Sequence, residues 1–220
     1  MIRRPPRSTL DRSSAASDVY KRQVHDPMCS WCWAFRLSLN TLIEELPKEI
    51  NIIRLLGGLA PDSDLPMPEN TREYVLQNWR AIEKQVPETK FNYDFWEKCK
   101  PRRSTYPACR AVIAARKQKD VFDTAMTLAI QEAYYLEARN PSDYETLINL
   151  AEEIGADKNK FSKDVRSTET DKILEEEIQQ SKSLDLKSLP SLLFIDGERK
   201  IRIEPDYLDA QVMLDQIVRL

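Results

Sequence analysis

Only four glycines and a single histidine stand among the 220 residues. So few glycines argue against an all-β barrel, whose tight turns require them. The lone histidine, His25, leaves one candidate for any Ser-His-Asp or His-rich metal site, and no nucleophile-elbow motif accompanies it. No apolar run approaches the ~18 residues that span a bilayer, so no membrane partner is expected. Nor does the charge lean far to one sign. The 33 Lys and Arg against 36 Asp and Glu leave a net charge of -3, which makes no electrostatic case for nucleic acid. Four cysteines, Cys29, Cys32, Cys99 and Cys109, are too few for a disulfide scaffold in a chain this long. They are reactive, metal-bound or incidental.

What is present is material for a core. Hydrophobic residues make up 41% and charged residues 31%, the balance of a packed domain rather than a disordered one. The length fits one large domain or one domain with an insertion.

Residues 1–23, MIRRPPRSTLDRSSAASDVYKRQ, stand apart. They are basic and Ser-rich, and they lack the apolar centre of a secretory signal. Enrichment in Arg and Ser is the mark of a transit peptide. The string more closely resembles a translated sequencing adapter fused to an assembled gene, and it is set aside from fold reasoning. This reading predicts a missing native start, with foreign sequence standing in for a first strand ahead of His25 and pairing poorly.

From residue 24 the elements follow. Phe35, Leu39, Leu42, Ile43 and Leu46 repeat on one helical face that Pro47 closes. EINIIRLLGG reads as a strand ended by Gly57-Gly58. After a Pro/Asp-rich loop, Val75, Trp79, Ile82 and Val86 take up helical spacing. Further helices are predicted over 108–118 and 121–136. Ser142-Asp-Tyr-Glu145 reads as a capping box opening a helix that stops at Gly155. A helix over 168–182 follows, with Leu174 and Ile178 inward and Glu175-Glu-Glu177 as a solvated face. LPSLLFID and KIRIE then form a hairpin about Gly197-Glu198. A last amphipathic helix presents Leu208, Val212, Leu214, Ile217 and Val218. The fold class is α/β, a two-part strand-bearing domain (24–60 and 167–220) interrupted by an all-helical insertion (61–166).

The chemistry concentrates in HDPMCSWCWAF, residues 25–35. A C-x-x-C at a helix start is suited to redox work, because the helix amides and dipole favour a thiolate on the outer cysteine. Cys29 is then the nucleophile. Cys32, one turn in, can attack a mixed disulfide and release product. Two blander readings compete: a pair of buried thiols, and a zinc clip. The clip needs two more ligands, and Cys99 and Cys109 have nine residues between them where two to four are usual, so no metal is expected. Pro190 opens a buried strand, which is unusual unless its bond and missing N–H have a use. A cis bond there would leave the preceding backbone free to pair with an extended substrate.

DPMCSWCW, the helical insert and the LPSL proline-strand together resemble the DsbA-like thioredoxin family, in its FrnE-type, mainly bacterial branch. GGLAPDSD, PRRSTYPACRA and AYYLEARNPSD are similar to that branch as well. The likeness covers residue 24 to about residue 217. It implies a thioredoxin fold broken by a helical insertion, with catalytic Cys29, resolving Cys32 and cis-proline Pro190. Apart from the likeness, Trp31 and Trp33 beside the thiols offer an apolar landing surface for substrate, and Leu189, just before the proline, is a substrate-binding candidate. The likeness also sets the loop of Arg103, Ser104 and Thr105 over the dithiol, where a substrate or thiol-bearing ligand would touch it; the competing reading is a solvated basic loop. The implied activity is thiol–disulfide exchange with protein or small-molecule thiols. No cofactor is needed, although glutathione could serve as co-substrate. The expected compartment is the cytoplasm. The Ser-Trp between the cysteines departs from Pro-His and Gly-Pro, and leaves oxidant, reductant and isomerase open.

Several alternatives stand. Cys99 and Cys109 form either a second thiol pair or two separate buried thiols. His25 either adds positive field near Cys29 or, as favoured, ends a strand and hydrogen-bonds locally. Asp26 is either a proton acceptor for Cys32 or a turn former. Of Trp31 and Trp33, one is expected under the helix and one exposed. The competing functions are a kappa-type glutathione transferase or isomerase, which usually carries serine at the Cys29 position, and a zinc-stabilised or chaperone-like binding protein.

Overall fold

The computed structural model describes residues 19–47, 50–196 and 198–218. In chain order they form β1 (Val19–His25), α1 (Ser30–Glu45) and β2 (Asn51–Leu56). The helical run α2 (Glu69–Gln85), α3 (Phe95–Lys98), α4 (Tyr106–Arg116), α5 (Val121–Tyr135), α6 (Tyr144–Glu153) and α7 (Lys158–Asp164) follows. The chain closes with α8 (Thr168–Ser183), β3 (Ser191–Asp196), β4 (Arg199–Ile203) and α9 (Ala210–Val218). This is the expected α/β arrangement, a thioredoxin fold with a helical insertion between β2 and α8. The sheet runs β2-β1-β3-β4, with β1 parallel to β2 and antiparallel to β3.

Period-two alternation in β3 decides what covers each face of the sheet. Leu192 and Phe194 point to one side. There they meet Phe35, Leu39 and Leu42 of α1 and its C-cap Leu46, together with Met213 and Leu214 of α9. Leu193 and Ile195 point to the other side and join Val24, Leu55 and Leu186. The insertion has its own core around Trp79, which is fully buried. Its ring stacks on Phe91 at 4.7 Å between centroids and meets the edges of Tyr134 and Tyr135 at 5.6 and 5.7 Å. Offset and edge contacts of this kind suit the ring quadrupoles.

An ion network ties the insertion to the sheet. Arg54 of β2 pairs with Asp123 of α5 at 2.9 Å, and Arg116 of α4 reaches the same carboxylate at 3.2 Å. Arg116 also pairs with Glu177 of α8, whose other oxygen accepts the Leu56 N–H at 2.8 Å. Glu175 and Glu176 lie exposed as expected, but Glu177 does not. Its place in the acidic run belongs to the packed side of α8, where Arg116 compensates the charge.

Two local expectations are corrected and a third is not tested. The capping box does not form: Asp143 is the N-cap of α6 without a side-chain cap bond, and Ser142 Oγ donates instead to the Ser104 carbonyl at 2.8 Å. On α9 the buried set is Ala210, Met213 and Leu214, while Leu208 and Val212 are exposed. Gly197, assigned to the hairpin turn, lies outside the described residues.

The largest departure is β1. The segment set aside up to residue 23 supplies most of a central strand, whose rungs run from Tyr20↔Asn51 to His25↔Leu56. The boundary drawn at residue 24 therefore falls inside a strand. The misfit lies in the side chains. Lys21 is fully buried with no partner for Nζ, and Gln23 Oε1 is unpartnered too. Burial pushes the Lys21 amine down from 10.5 to about 7. The unfolded chain holds that proton up to about 10.5 and the folded chain releases it near 7, so this group makes stability rise with pH across that window. Lys21→Met is expected to stabilise the chain at pH 7 by about 1–4 kcal/mol and to remove that rise. Urea unfolding at stepped pH measures both.

Candidate active site

Asp26 builds the entrance to α1. Its carbonyl accepts the Cys29 N–H at 3.0 Å and its Oδ1 accepts the Met28 N–H at 2.8 Å, so main chain and side chain fold one tight turn. Oδ2 reaches further. It accepts the Leu59 N–H at 2.7 Å, the Thr105 hydroxyl at 2.6 Å and the Cys109 thiol at 3.4 Å. The carboxylate thus joins β1, the turn, the loop after β2 and helix α4 of the insertion. Burial raises its pKa, opposed by these hydrogen bonds.

Cys29 is the N-cap of α1, and its carbonyl takes the first helical bond from Trp33 N–H at 3.1 Å. Its thiol points across to the loop before β3 and donates to the Leu189 carbonyl at 3.7 Å. The Leu189–Pro190 bond is cis. Gly57 allows this approach, because a Cβ there would stand 2.7 Å from Leu189 Cδ2. Gly58 takes φ +58°, open to glycine, and leaves room for Tyr106 and Ile178. Cys32 lies one turn further in and is buried. Burial first, and then its neighbour Cys29, push its thiol well above the ordinary range.

Cys29 opens on a cleft of about 410 Å³ that Trp31, Tyr74, Arg103 and Leu189 help to line. Its charged lining residues, Arg103, Lys182 and Lys187, are all cationic. Of the predicted loop only Arg103 reaches this cleft. Thr105 is buried on Asp26, and Ser104 is buried beside a different pocket with Asp62 and Ser142. These two hydroxyls hold the loop in place and are not exposed to a ligand in the cleft. Trp33 is buried and stacks on Tyr135 at 5.5 Å, whereas Trp31 is half-buried against Tyr207. Lys182 and Lys187, which sequence reasoning missed, carried only the signal of scattered surface lysines.

All four cysteines are free. Cys99 donates to the Ala138 carbonyl at 3.0 Å and Cys109 to Asp26, so the two have separate partners rather than each other. His25 is buried with both ring nitrogens unpartnered, which overturns the expected local hydrogen bond. Among the described residues no cluster of three or more His, Cys, Asp or Glu could hold a metal, and no helix is long and apolar enough to cross a membrane.

The family model described as thioredoxin matches residues 24–205. Two curated relatives are ClpXP adapter proteins SpxH. That of Halalkalibacterium halodurans is 25% identical over 202 residues, covering 87% of this chain and 65% of its own. That of Bacillus subtilis is 24% identical over 176 residues, covering 80% of this chain and 58% of its own. The chain therefore spans less than two-thirds of the length of these relatives. Among solved structures, a candidate protein disulfide isomerase from Nitrosomonas europaea superposes with a TM-score of 0.79 at 21% identity, covering 92% of this chain and 97% of the other. The cytosolic disulfide reductase DsbM from Pseudomonas aeruginosa gives 0.72 at 19% identity, covering 91% and 98%. The same reductase has also been solved with glutathione, with a TM-score of 0.70 at 18% identity, covering 91% and 100%.

The Asp26 geometry makes a prediction. Asp26→Ala leaves the Met28 and Leu59 amides and the Thr105 hydroxyl without their acceptor, at about 1–3 kcal/mol for each buried donor. The loss is expected to be largest at acid pH. The folded chain keeps a proton on Asp26 that the unfolded chain releases, so wild-type stability falls relative to the variant as pH rises through the raised value. Urea titrations of both chains between acid and neutral pH test the sign.

Proposed function

Because this chain belongs to the DsbA-like thioredoxin family, we propose that it is a thiol–disulfide oxidoreductase working through Cys29 and Cys32. The observation that carries the reading is the Cys29 thiol at a helix N-terminus, open to a cleft and bonded to the carbonyl beside Pro190, with a protonated Cys32 one turn behind. The Cys29 thiolate attacks a substrate disulfide. One substrate thiolate leaves and a mixed disulfide forms. Cys32 loses its proton and attacks the Cys29 sulfur, the bond to substrate breaks, and the second substrate thiol departs. The chain's dithiol is oxidised by two electrons and the substrate disulfide is reduced; the oxidant direction is the reverse.

Leu189 and Trp31 flank the reacting sulfur and would meet the substrate. The cationic lining of Arg103 and Lys182, with Lys187 paired to Asp185 at 2.6 Å, favours a substrate that carries carboxylates next to its sulfur. Glutathione as co-substrate fits that chemistry, and the glutathione-bound reductase with the same fold supports it. No metal or organic cofactor enters the reaction. The cytoplasm is the proposed compartment, in keeping with the cytosolic reductase that shares the fold. The intact Cys29 counts against a kappa-type transferase. A second reading, a binding module without turnover, draws on the adapter relatives. It requires the chain's binding function to survive replacement of both cysteines.

Equilibration in glutathione buffers tests the main reading. A reversible two-electron couple is expected, lost in Cys29→Ser. Cys32→Ser is expected to accumulate a mixed disulfide on Cys29, visible by mass spectrometry. A value near about -120 mV marks an oxidant and one near about -270 mV a reductant. Thiols that stay inert across this range sink the proposal. For the co-substrate, Arg103→Ala is expected to raise KM for glutathione disulfide about tenfold, or ~1.4 kcal/mol, with kcat kept. An unchanged KM removes Arg103 from the binding surface.

A further inference from the structure

Two side chains of the cleft have no part in the exchange chemistry. Leu59 and Tyr74 are large apolar side chains that stay exposed, at 37% and 62%, and both line the cleft into which Cys29 opens. Neither position is loosely held. Leu59 follows Gly58 at φ +58°, and Asp26 Oδ2 holds its N–H at 2.7 Å. Tyr74 stands in α2 beside Val75, which is buried in the core of the insertion with Trp79 and Ile82. Tyr74 itself has no hydrogen bond and no ring contact with another described residue. A tyrosine on a fixed backbone costs little entropy to order, because it has only two side-chain torsions. Trp31 and Leu189, which also line the cleft, are half-buried. Apolar surface of this kind in a concave site is what a ligand covers.

We infer that Leu59 and Tyr74 form an apolar shelf that makes the cleft select peptide disulfides in which a large apolar or aromatic residue adjoins the cysteine. The inference rests on the oxidoreductase reading given above and names the substrate class of that site. Glutathione alone does not account for the lining. Its cysteine stands between a glutamate and a glycine, so its carboxylates answer Arg103 and Lys182 while it has no apolar side chain to cover Leu59 or Tyr74. A peptide chain can bring both. The cleft's volume of about 410 Å³ lies within the ~300–1,000 Å³ of small-ligand sites, which is room for a cysteine and one large neighbour. A phenylalanine or leucine beside the reacting cysteine removes the Tyr74 ring and Leu59 from water, and an aromatic neighbour gains an edge or offset ring contact as well. Apolar pocket contacts discriminate between substrates by roughly 10–200-fold. Leu59 and Tyr74 take no electrons or protons in the exchange; they determine specificity.

The test uses two peptides, Gly-Phe-Cys-Phe-Gly and Gly-Ala-Cys-Ala-Gly, each with its cysteine joined to thionitrobenzoate in a mixed disulfide. They are added to the reduced full chain in a Cys99→Ser background. Attack by the Cys29 thiolate forms the Cys29–peptide bond and breaks the peptide–thionitrobenzoate bond. The aryl thiolate, of low pKa, departs with the electron pair and is counted by its colour. The parent chain is expected to show a kcat/KM about tenfold higher for the Phe peptide than for the Ala peptide. In the Tyr74→Ala, Leu59→Ala double variant that ratio is expected to fall to about twofold or less. Tyr74→Phe is expected to keep it, since the ring and not the hydroxyl makes the shelf. A ratio near one in the parent, a ratio kept in the double variant, or a ratio lost in Tyr74→Phe overturns the shelf and leaves the oxidoreductase reading standing. A parent that reacts with both peptides no faster than its Cys29→Ser variant overturns the oxidoreductase reading, and the shelf with it.

Discussion

The geometry of the dithiol depends on one buried carboxylate. Asp26 sits at the end of the central strand, where its main chain and side chain together fold the turn that delivers Cys29 to the helix N-terminus. Its second oxygen binds the loop after β2 and the first turn of α4. A buried carboxyl is costly unless it is hydrogen-bonded, and here three polar donors and a thiol bond to it. The same bonds that make the group tolerable lock the insertion to the sheet. Asp26 is therefore an organiser of the site.

That organisation gives the two cysteines different surroundings although they are one helical turn apart. Cys29 faces outward to a cationic cleft and a backbone carbonyl. Cys32 faces inward, where burial holds its proton on. A dithiol needs this asymmetry if attack and resolution are to occur in order. The insertion contributes to both sides: Arg103 lines the cleft of the outer thiol, and α5 walls the cavity of the inner one. Arg54, Arg116, Asp123 and Glu177 brace the same junction from below.

Much of this was legible in the chain. Phe35, Leu39, Leu42 and Leu46, like Val75, Trp79 and Ile82, are buried where periodicity put them, because a helix that packs on one face must repeat its apolar residues every three or four positions. The misreadings have physical causes too. Ser142 matches a capping pattern, but its hydroxyl donates to a tertiary acceptor, the Ser104 carbonyl, and Asp143 stands at the N-cap. Glu177 looks like its neighbours Glu175 and Glu176 until Arg116 arrives from another helix. Residues 19–23 have the composition of a solvated segment, yet backbone pairing to β2 and β3 carries them into the sheet with Lys21 and Gln23 unpartnered.

The sequence by itself determined the order of elements, the helical face of α1 and the one-turn spacing of Cys29 and Cys32, since these depend on local periodicity and chain geometry. Only the tertiary structure decided that Cys99 and Cys109 go to different partners, that Ser104 and Thr105 are buried as braces, and that Lys182 and Lys187 join Arg103 at the cleft. It alone left His25 unpartnered beside the resolving thiol. The reason is common to all of these. A side chain's charge, partner and access to water are set by neighbours distant in sequence, and no local pattern records which neighbours folding will supply.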